Sequence, residues 1–559
     1  MKRSSKIIHI VLLYLLLLVP IFYALCTASD LEYSLLKKVA FFIVVAIGLV
    51  LPAFIFKART YFIIEGVLNI FLAPIDIVSL YLNHQSASKL FLNSIFSTNW
   101  NEAVELLTSF WPLCLAAFAY WILYFVLTFR LPNEYLYPKI VRRVTLISLP
   151  ILLVLSLVGM TWLMHRLHNE KSVKECFYDA TGLVTMKFYK IYPYNIYLGS
   201  WDLFQEHRQW KQAQAQVENF HFGIHKRSNL SEELFILVIG ESSRYDHWGI
   251  NGYCRNTTPL LEQCSNLISF DSAYAQANLT NYSVPLILTR ATASNPSLAN
   301  SEKSIPEAFA EAGYSTAFIS KNTFSSFTER IMKSCNYGYI YSKGLDVVDN
   351  YDGEMLNKVR DIVRDSAQMI VLHTLGSHYK YGLRYPSDFS VFTPVFDASY
   401  SYSMIDEDHK DLLINAYDNS ILYTDYVLGS LIQWADSLNR PAIVMYISDH
   451  GESFWDDERG LSLHGSYAVS QAEYHVPLVI WYSDEYATKY TQKVMTMQHN
   501  TSVPVSSQVV FYSLLDMADL SEVVIPKYSI CSDSLQPQHE ITITNGRGET
   551  VIFRPALDM

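Results

Sequence analysis

The chain has 559 residues, half of them hydrophobic, and a formal net charge of −11 at pH 7. That length exceeds one domain, and a mean hydropathy of +0.13 is high for a wholly soluble enzyme. The negative charge argues against nucleic acid as a partner, because phosphate backbones need basic surfaces.

The apolar excess lies at the front. Residues 7–26, 39–56, 61–82, 111–129 and 144–164 are each long enough to span a bilayer. The third segment contains Glu65 and Asp76. A buried or interfacial helix competes there, although intramembrane carboxylates usually face a bundle interior and mark function. Lys2, Arg3 and Lys6 precede the first segment, but its apolar core is too long for a cleaved signal, and further spans follow. Lys and Arg set the orientation. With the amino terminus inside, Lys2, Arg3, Lys6, Lys57, Arg59, Arg130, Lys139, Arg142 and Arg143 are cytoplasmic, against Lys37, Lys38 and Lys89 outside. Everything after about His165 is then expected outside the cytoplasm.

Residues 1–165 therefore read as a helical transmembrane domain, with 83–110 as its longest outer loop. Residues 166–230 are polar and aromatic and read as a linker along the membrane surface, with a Gln-rich helical stretch at 205–216. From 231 to 559, apolar strand-like runs (234–239, 315–320, 369–374, 442–448, 477–482) alternate with helix-like ones (304–312, 353–365, 409–439, 506–517). That alternation predicts an α/β domain with a largely parallel sheet. Five of the seven cysteines follow the spans: Cys176, Cys254, Cys264, Cys335 and Cys531. An odd number leaves at least one thiol free, and none has zinc-thiolate spacing. Cys254 and Cys264 are close enough to pair, a question the sequence leaves open.

Two strand-like runs end in metal-type side chains. Residues 442–447 lead into Ser448-Asp449-His450-Gly451-Glu452, and 234–239 into Gly240-Glu241-Ser242-Ser243. Open α/β sheets bind ligands at the carboxyl ends of their strands, and mixed oxygen and nitrogen donors suit zinc. Two such ends suggest one site built from distant parts of the chain.

Between them lies Asn278-Leu279-Thr280-Asn281-Tyr282-Ser283-Val284-Pro285. With that segment the sequence resembles the phosphoethanolamine transferases of the alkaline phosphatase and sulfatase superfamily, which include the lipid A-modifying enzymes behind polymyxin resistance. Four features carry the resemblance: Val238-Ile239-Gly240-Glu241-Ser242 with Asn251-Gly252-Tyr253; Thr280 three residues before Ser283-Val284-Pro285; His373-Thr374-Leu375-Gly376-Ser377-His378; and Ser448-Asp449-His450-Gly451-Glu452 with Leu463-His464-Gly465. The five-span front half fits as well.

The resemblance implies a five-helix transmembrane domain in the inner membrane and a sulfatase-like α/β domain in the periplasm. Glu241, Thr280, Asp449 and His450 match zinc ligands, with Thr280 also the nucleophile. A threonine hydroxyl needs such activation to attack. His378 and His464 match residues that bind substrate phosphate or a second zinc. His373 and His475 are weaker candidates, and Glu452 a supporting residue. Glu102, within Thr98-Asn99-Trp100-Asn101-Glu102-Ala103, matches a segment near the donor headgroup, but Ser94 stands where the family has asparagine. The implied reaction moves phosphoethanolamine from phosphatidylethanolamine to lipid A, a core sugar or another surface glycan. Around Lys321-Asn322, and over 378–386, the chain departs from lipid A-specific members toward core-modifying ones. A phosphoglycerol transferase would share fold, metal and threonine. An arylsulfatase would not, because Ser283-Val284-Pro285-Leu286-Ile287 lacks the arginine of its Cys/Ser-x-Pro-x-Arg motif. A non-enzymatic scaffold is disfavoured by the intact ligand set.

Overall fold

The computed structural model describes residues 3–27, 35–83, 86–87, 89–97, 104, 107–108, 110–167, 173, 176–177, 181, 188–189, 191–226, 232–322, 326–341, 351–396 and 406–555. The chain divides into two compact units, one of residues 1–92 and 110–204, the other of 93–109 and 205–559.

Every regular element among the described residues of the first unit is helical. The helices used below are α1 (Arg3–Thr27), α2 (Leu35–Val50), α3 (Ala58–Glu65), α4 (Ala73–Asn83), α5 (Trp111–Phe129) and α6 (Lys139–Leu167). Among the described residues, four apolar stretches are long enough to cross a membrane: Lys6–Thr27, Ala58–Tyr81, Trp111–Phe129 and Lys139–Arg166. The fifth expected span is a shorter helix, Lys38–Phe54. It tightens into a 3-10 turn at Leu51–Phe54 around Pro52, whose missing N–H cannot continue the ladder. On α1, Leu13, Leu17, Ile21 and Ala24 are buried, while Ile7, Val11, Leu15, Val19 and Phe22 face outward. That three-and-four spacing is one helical face packed inward and another left apolar, as lipid requires.

Glu65 and Asp76 sit on either side of a π-helical segment, Gly66–Ile70, and both are buried. Asn69 Nδ2 donates to Glu65, and Tyr197 Oη donates to Asn69 Oδ1 at 2.8 Å. Asp76 accepts from the Ala87 N–H and from Asn195 Nδ2, both at 2.7 Å, and from Ser86 Oγ at 3.4 Å.

The second unit contains a seven-stranded sheet. Its strands are β1 (Leu234–Gly240), β2 (Leu267–Phe270), β3 (Ser315–Ser320), β4 (Tyr337–Ile340), β5 (Gln368–His373), β6 (Ala442–Ser448) and β7 (Leu478–Tyr482), in the order β2-β7-β6-β1-β5-β3-β4. β4, β3, β5, β1 and β6 run parallel to one another, while β7 is antiparallel to both β6 and β2. The five strands expected from sequence are all present. The short β2 and β4, at the two edges, are additions: each has only four residues with weak apolar signals.

Both faces of the sheet are covered, so β1 and β6 are apolar at nearly every position. Phe235, Leu237 and Ile239 of β1 join one core with Ile443, Met445 and Ile447 of β6. Leu234, Ile236 and Val238 join a second core with Val444 and Tyr446. The first core is closed by α7 (Thr280–Leu288), α8 (Ile305–Ala312) and α9 (Val509–Met517). Helix α8 starts with a capping box, Ser304 with Glu307, and ends at Gly313 in the left-handed region, φ 103°. The second core is closed by a 27-residue helix, Lys410–Asp436, through Leu413, Tyr417, Ile421 and Leu428. All seven cysteines are free thiols, including Cys254 and Cys264.

Candidate active site

β1 and β6 are adjacent and in register, Gly240 opposite Ser448. Glu241 and the Asp449-His450 pair therefore leave the sheet side by side. All three are completely buried, and one donor atom from each lies within 4.8 Å of the others. Thr280 is the first residue of α7, after the extended Leu279. Its Oγ1 lies 3.1 Å from both Glu241 carboxylate oxygens and 3.3 Å from His450 Nε2. A helix amino terminus also favours an incoming anion.

Each ligand-type side chain is fixed from behind. His450 Nδ1 donates to the Gly451 carbonyl at 2.9 Å. A carbonyl only accepts, so in the neutral ring the lone pair is on Nε2, facing Glu241 and Thr280. Asp449 Oδ1 accepts from the N–H groups of Ser242 (3.1 Å) and His450 (2.7 Å). Ser242 reaches it with φ 57°, a left-handed conformation. Tyr417 from the long helix holds that turn, donating to the Ser242 carbonyl at 2.6 Å and accepting from the Arg244 N–H at 2.8 Å. Glu241 accepts from Ser242 Oγ at 3.0 Å and Asn322 Nδ2 at 2.6 Å. Gly376, φ 48°, lies against Glu241: a Cβ there would be 2.7 Å from the Glu241 nitrogen. Asp352 secures this loop through the N–H groups of Leu375 and Gly376.

The charges do not balance. Burial and the charge of Glu241 push Asp449 up to about 7. Burial opposes ionisation of Glu241, yet the His450 hydrogen bond and charge hold it well below the usual carboxylate range. Burial disfavours charged His450, but Asp449 and Glu241 raise it to about 10. Two buried carboxylates share one imidazole, and among the described residues Asp449 Oδ2 has no hydrogen-bond partner. A divalent cation fits this deficit. It would meet the unpartnered Oδ2, the Glu241 carboxylate, the His450 Nε2 lone pair and the Thr280 hydroxyl, a set of oxygens and one nitrogen.

His464 stacks near His450, with ring centroids 4.2 Å apart, and its Nδ1 lies 3.1 Å from Glu452 Oε1. Glu452 is buried, and its Oε2 has no partner. His378 Nδ1 donates to the Tyr379 carbonyl at 2.8 Å, and burial lowers the pKa of the ring. His373 is more deeply enclosed. Burial pushes it down to about 4, Ser320 Oγ lies 3.3 Å from Nδ1, and Nε2 is unpartnered. His475 lies outside the carboxylate–imidazole cluster: it is stacked on Tyr245 and Tyr274 at the start of β7, with Nε2 donating to the Asp271 carbonyl. Glu102 and the rest of 98–103 lie outside the described residues.

Ser283 is completely buried and donates to the Asp449 carbonyl at 2.5 Å. It props the metal-type loop rather than facing a substrate. Sequence reasoning did not single out Asp352 or Tyr417, and it named Asn322 only as a departure from lipid A-specific members, not as a support. Asn322 follows β3 as Glu241 follows β1, so strand-end position was the available signal. Nothing distinguishes Tyr417 from other tyrosines.

An α/β sheet carrying a carboxylate, an Asp-His pair and a helix-borne threonine at its carboxyl edge is the architecture of a hydrolase or transferase of phosphate or sulfate esters. Residues 233–520 match the sulfatase family, and the chain belongs to it. Among curated relatives, phosphoethanolamine transferase EptA of Helicobacter pylori is 28% identical over 296 residues, 51% of this chain and 54% of that protein. The match thus spans about half the length of that relative. The fold matches integral membrane lipooligosaccharide phosphoethanolamine transferase A from Neisseria meningitidis with a TM-score of 0.71 at 20% identity, over 93% of this chain and 97% of that one. The periplasmic domain of EptC from Escherichia coli, solved as a complex with Zn, aligns over 58% of this chain and 93% of its own with a TM-score of 0.51 at 24% identity.

Proposed function

We propose that this protein is a zinc-dependent phosphoethanolamine transferase. It takes phosphoethanolamine from phosphatidylethanolamine, holds it on Thr280 and passes it to lipopolysaccharide, at lipid A or a core sugar. The observation that carries the reading is the Thr280 hydroxyl 3.1 Å from both oxygens of Glu241 and 3.3 Å from His450 Nε2. A threonine used only as a helix cap would bond to the backbone of its own first turn.

Glu241, Asp449, His450 and Thr280 would hold the zinc. When bound, the ion supplies positive charge that lowers the pKa of the Thr280 hydroxyl and offsets charge on the phosphoryl oxygens. In the first half-reaction Thr280 Oγ forms a bond to phosphorus, and the bond to the diacylglycerol oxygen breaks. The threonine proton ends on that leaving oxygen. In the second, an acceptor oxygen attacks the same phosphorus, and Thr280 leaves and regains a proton. His464, oriented by Glu452, and His378 contribute ring nitrogens for phosphoryl oxygens or for a second zinc.

The apolar helices of the first unit support a multi-pass protein of the inner membrane, with the sheet-bearing unit in the periplasm, where donor lipid and glycan are both within reach. Residues 1–165, 166–230 and 231–559 are the corresponding membrane, linker and catalytic segments. Mass spectrometry of lipopolysaccharide from cells with and without the protein tests the reading. One added phosphoethanolamine unit supports it. An added phosphoglycerol unit would favour the phosphoglycerol transferase reading, and no change would refute both.

A further inference from the structure

A cavity of about 840 Å³ opens among the loops that follow the sheet, within the range of small-molecule pockets. Its walls come from the segments that follow β1 (Arg244–Asp246), β2 (Asp271–Tyr274) and β6 (Asp456–Arg459), and from the one that precedes the antiparallel β7 (Ser470–His475). Leu478 pairs with Ile447 and with Phe270, so all four segments emerge at the carboxyl edge of the sheet. This is the edge that carries Glu241 and Asp449, and open α/β sheets bind ligands there.

The lining chemistry is specific. Arg244 grips Asp246 through Nε and Nη2, at 2.8 and 2.6 Å, and Asp456 through Nη1 at 2.8 Å. Arg459 grips Asp457 and donates to the Val469 carbonyl. These forks fix the carboxylates in place, and the oxygens of Asp246 and Asp456, each with one donor, keep a second acceptor site. Asp271 accepts from Ser502 Oγ at 2.6 Å. Tyr245 and His475 stack 4.1 Å apart and give the wall a flat aromatic edge. Four carboxylates (Asp246, Asp271, Asp456, Asp457) face two guanidiniums (Arg244, Arg459). The excess of negative charge repels phosphate. Fixed carboxylates that accept from neighbouring hydroxyls, beside an aromatic ring whose face accepts C–H groups, suit a sugar.

We propose that this cavity binds unphosphorylated sugar units of the acceptor glycan and so positions the phosphate or hydroxyl that is to be modified. The inference rests on the transferase reading above for what the sugar belongs to. It assigns recognition to the β1-β6-β7-β2 side of the edge, in residues that touch neither Thr280 nor the carboxylate–imidazole cluster.

The test uses the full-length protein in detergent and two variants at the exposed rim, Ser502→Trp to fill the cavity and Asp457→Asn to remove one charge. Saturation-transfer NMR with a dephosphorylated core oligosaccharide should show contact in the wild type and none in Ser502→Trp. In kinetics, diacylglycerol release from phosphatidylethanolamine without acceptor should be unchanged in both variants. The KM for the glycan should rise by about tenfold in Asp457→Asn, the equivalent of one good polar contact, and further in Ser502→Trp. No contact in the wild type, or equal contact and equal KM in all three proteins, overturns the inference while intact donor cleavage leaves the transferase reading standing. Absent donor cleavage in the wild type refutes that reading, and the NMR still decides the cavity.

Discussion

Among the buried carboxylates of the described residues, two in each unit differ instructively in what surrounds them. Glu65 and Asp76 in the helical unit meet neutral amide, hydroxyl and backbone donors, and both oxygens of Asp76 are bonded. Glu241 and Asp449 at the sheet edge also have hydroxyl, amide and backbone donors, but they share one imidazole between two carboxylates and leave Asp449 Oδ2 unpartnered among the described residues. Burial is nearly equal, so burial does not mark the functional site. An unpartnered carboxylate oxygen beside a second buried carboxylate does: leaving such charge unmet costs free energy that a compensating cation would recover. The first pair ties helices together. The second pair is the one that the proposed cation and the Thr280 hydroxyl would meet.

Substitutions can break or sharpen that contrast. The largest effect is expected at the sheet edge. Glu241→Gln with Asp449→Asn should abolish zinc in the purified protein, read by elemental analysis, and lower transfer by about a thousandfold or more, as for loss of a central catalytic group. The same pair should leave the metal-free protein at least as stable as metal-free wild type in a thermal melt, because like charges no longer share a buried site. Full zinc occupancy in the double variant would remove the distinction between the two pairs.

Glu452→Gln should keep the fold but weaken the orientation of His464. Loss of about 10- to 100-fold in activity or metal affinity is expected for such a partner, and an unchanged enzyme would show that His464 needs no anchor. Asn322→Ala removes a donor to charged Glu241 and should cost about tenfold in transfer, near the lower end for a hydrogen bond to a charged group. The smallest catalytic effect belongs to the helical unit. Asp76→Ala should destabilise by about 1–3 kcal/mol, because the Ala87 N–H and Asn195 lose their acceptor, while kcat per folded molecule stays unchanged. A fall in kcat at full folding would give Asp76 a part in the reaction and collapse the comparison.

Much of this was legible in the sequence, and the reasons are local. β1 and β6 are continuous apolar runs because both faces of a parallel sheet are covered, so their ends announced Glu241 and Asp449. Long helices and apolar spans declared themselves in the same way. The edge strands β2 and β4 did not, because four half-buried residues carry little pattern. The shortened second span was hidden because hydropathy is blind to the turn that Pro52 creates. At the site, residue types bearing chemistry stood out, but their supports did not. Tyr417 reaches Ser242 from 175 residues away, and Asp352 reaches the Gly376 loop from the segment before a different helix. Such contacts belong to tertiary packing, which no local spacing encodes.

The central claim is that Thr280 carries the phosphoethanolamine between two half-reactions. Incubating the purified full-length protein with phosphatidylethanolamine and no acceptor, then digesting it for peptide mass spectrometry, tests this most directly. The account predicts a phosphoethanolamine adduct on Thr280 that disappears when lipopolysaccharide is added, and no adduct in Thr280→Ala. Near-normal transfer by a folded, zinc-loaded Thr280→Ala protein, with no adduct in the wild type, would contradict it.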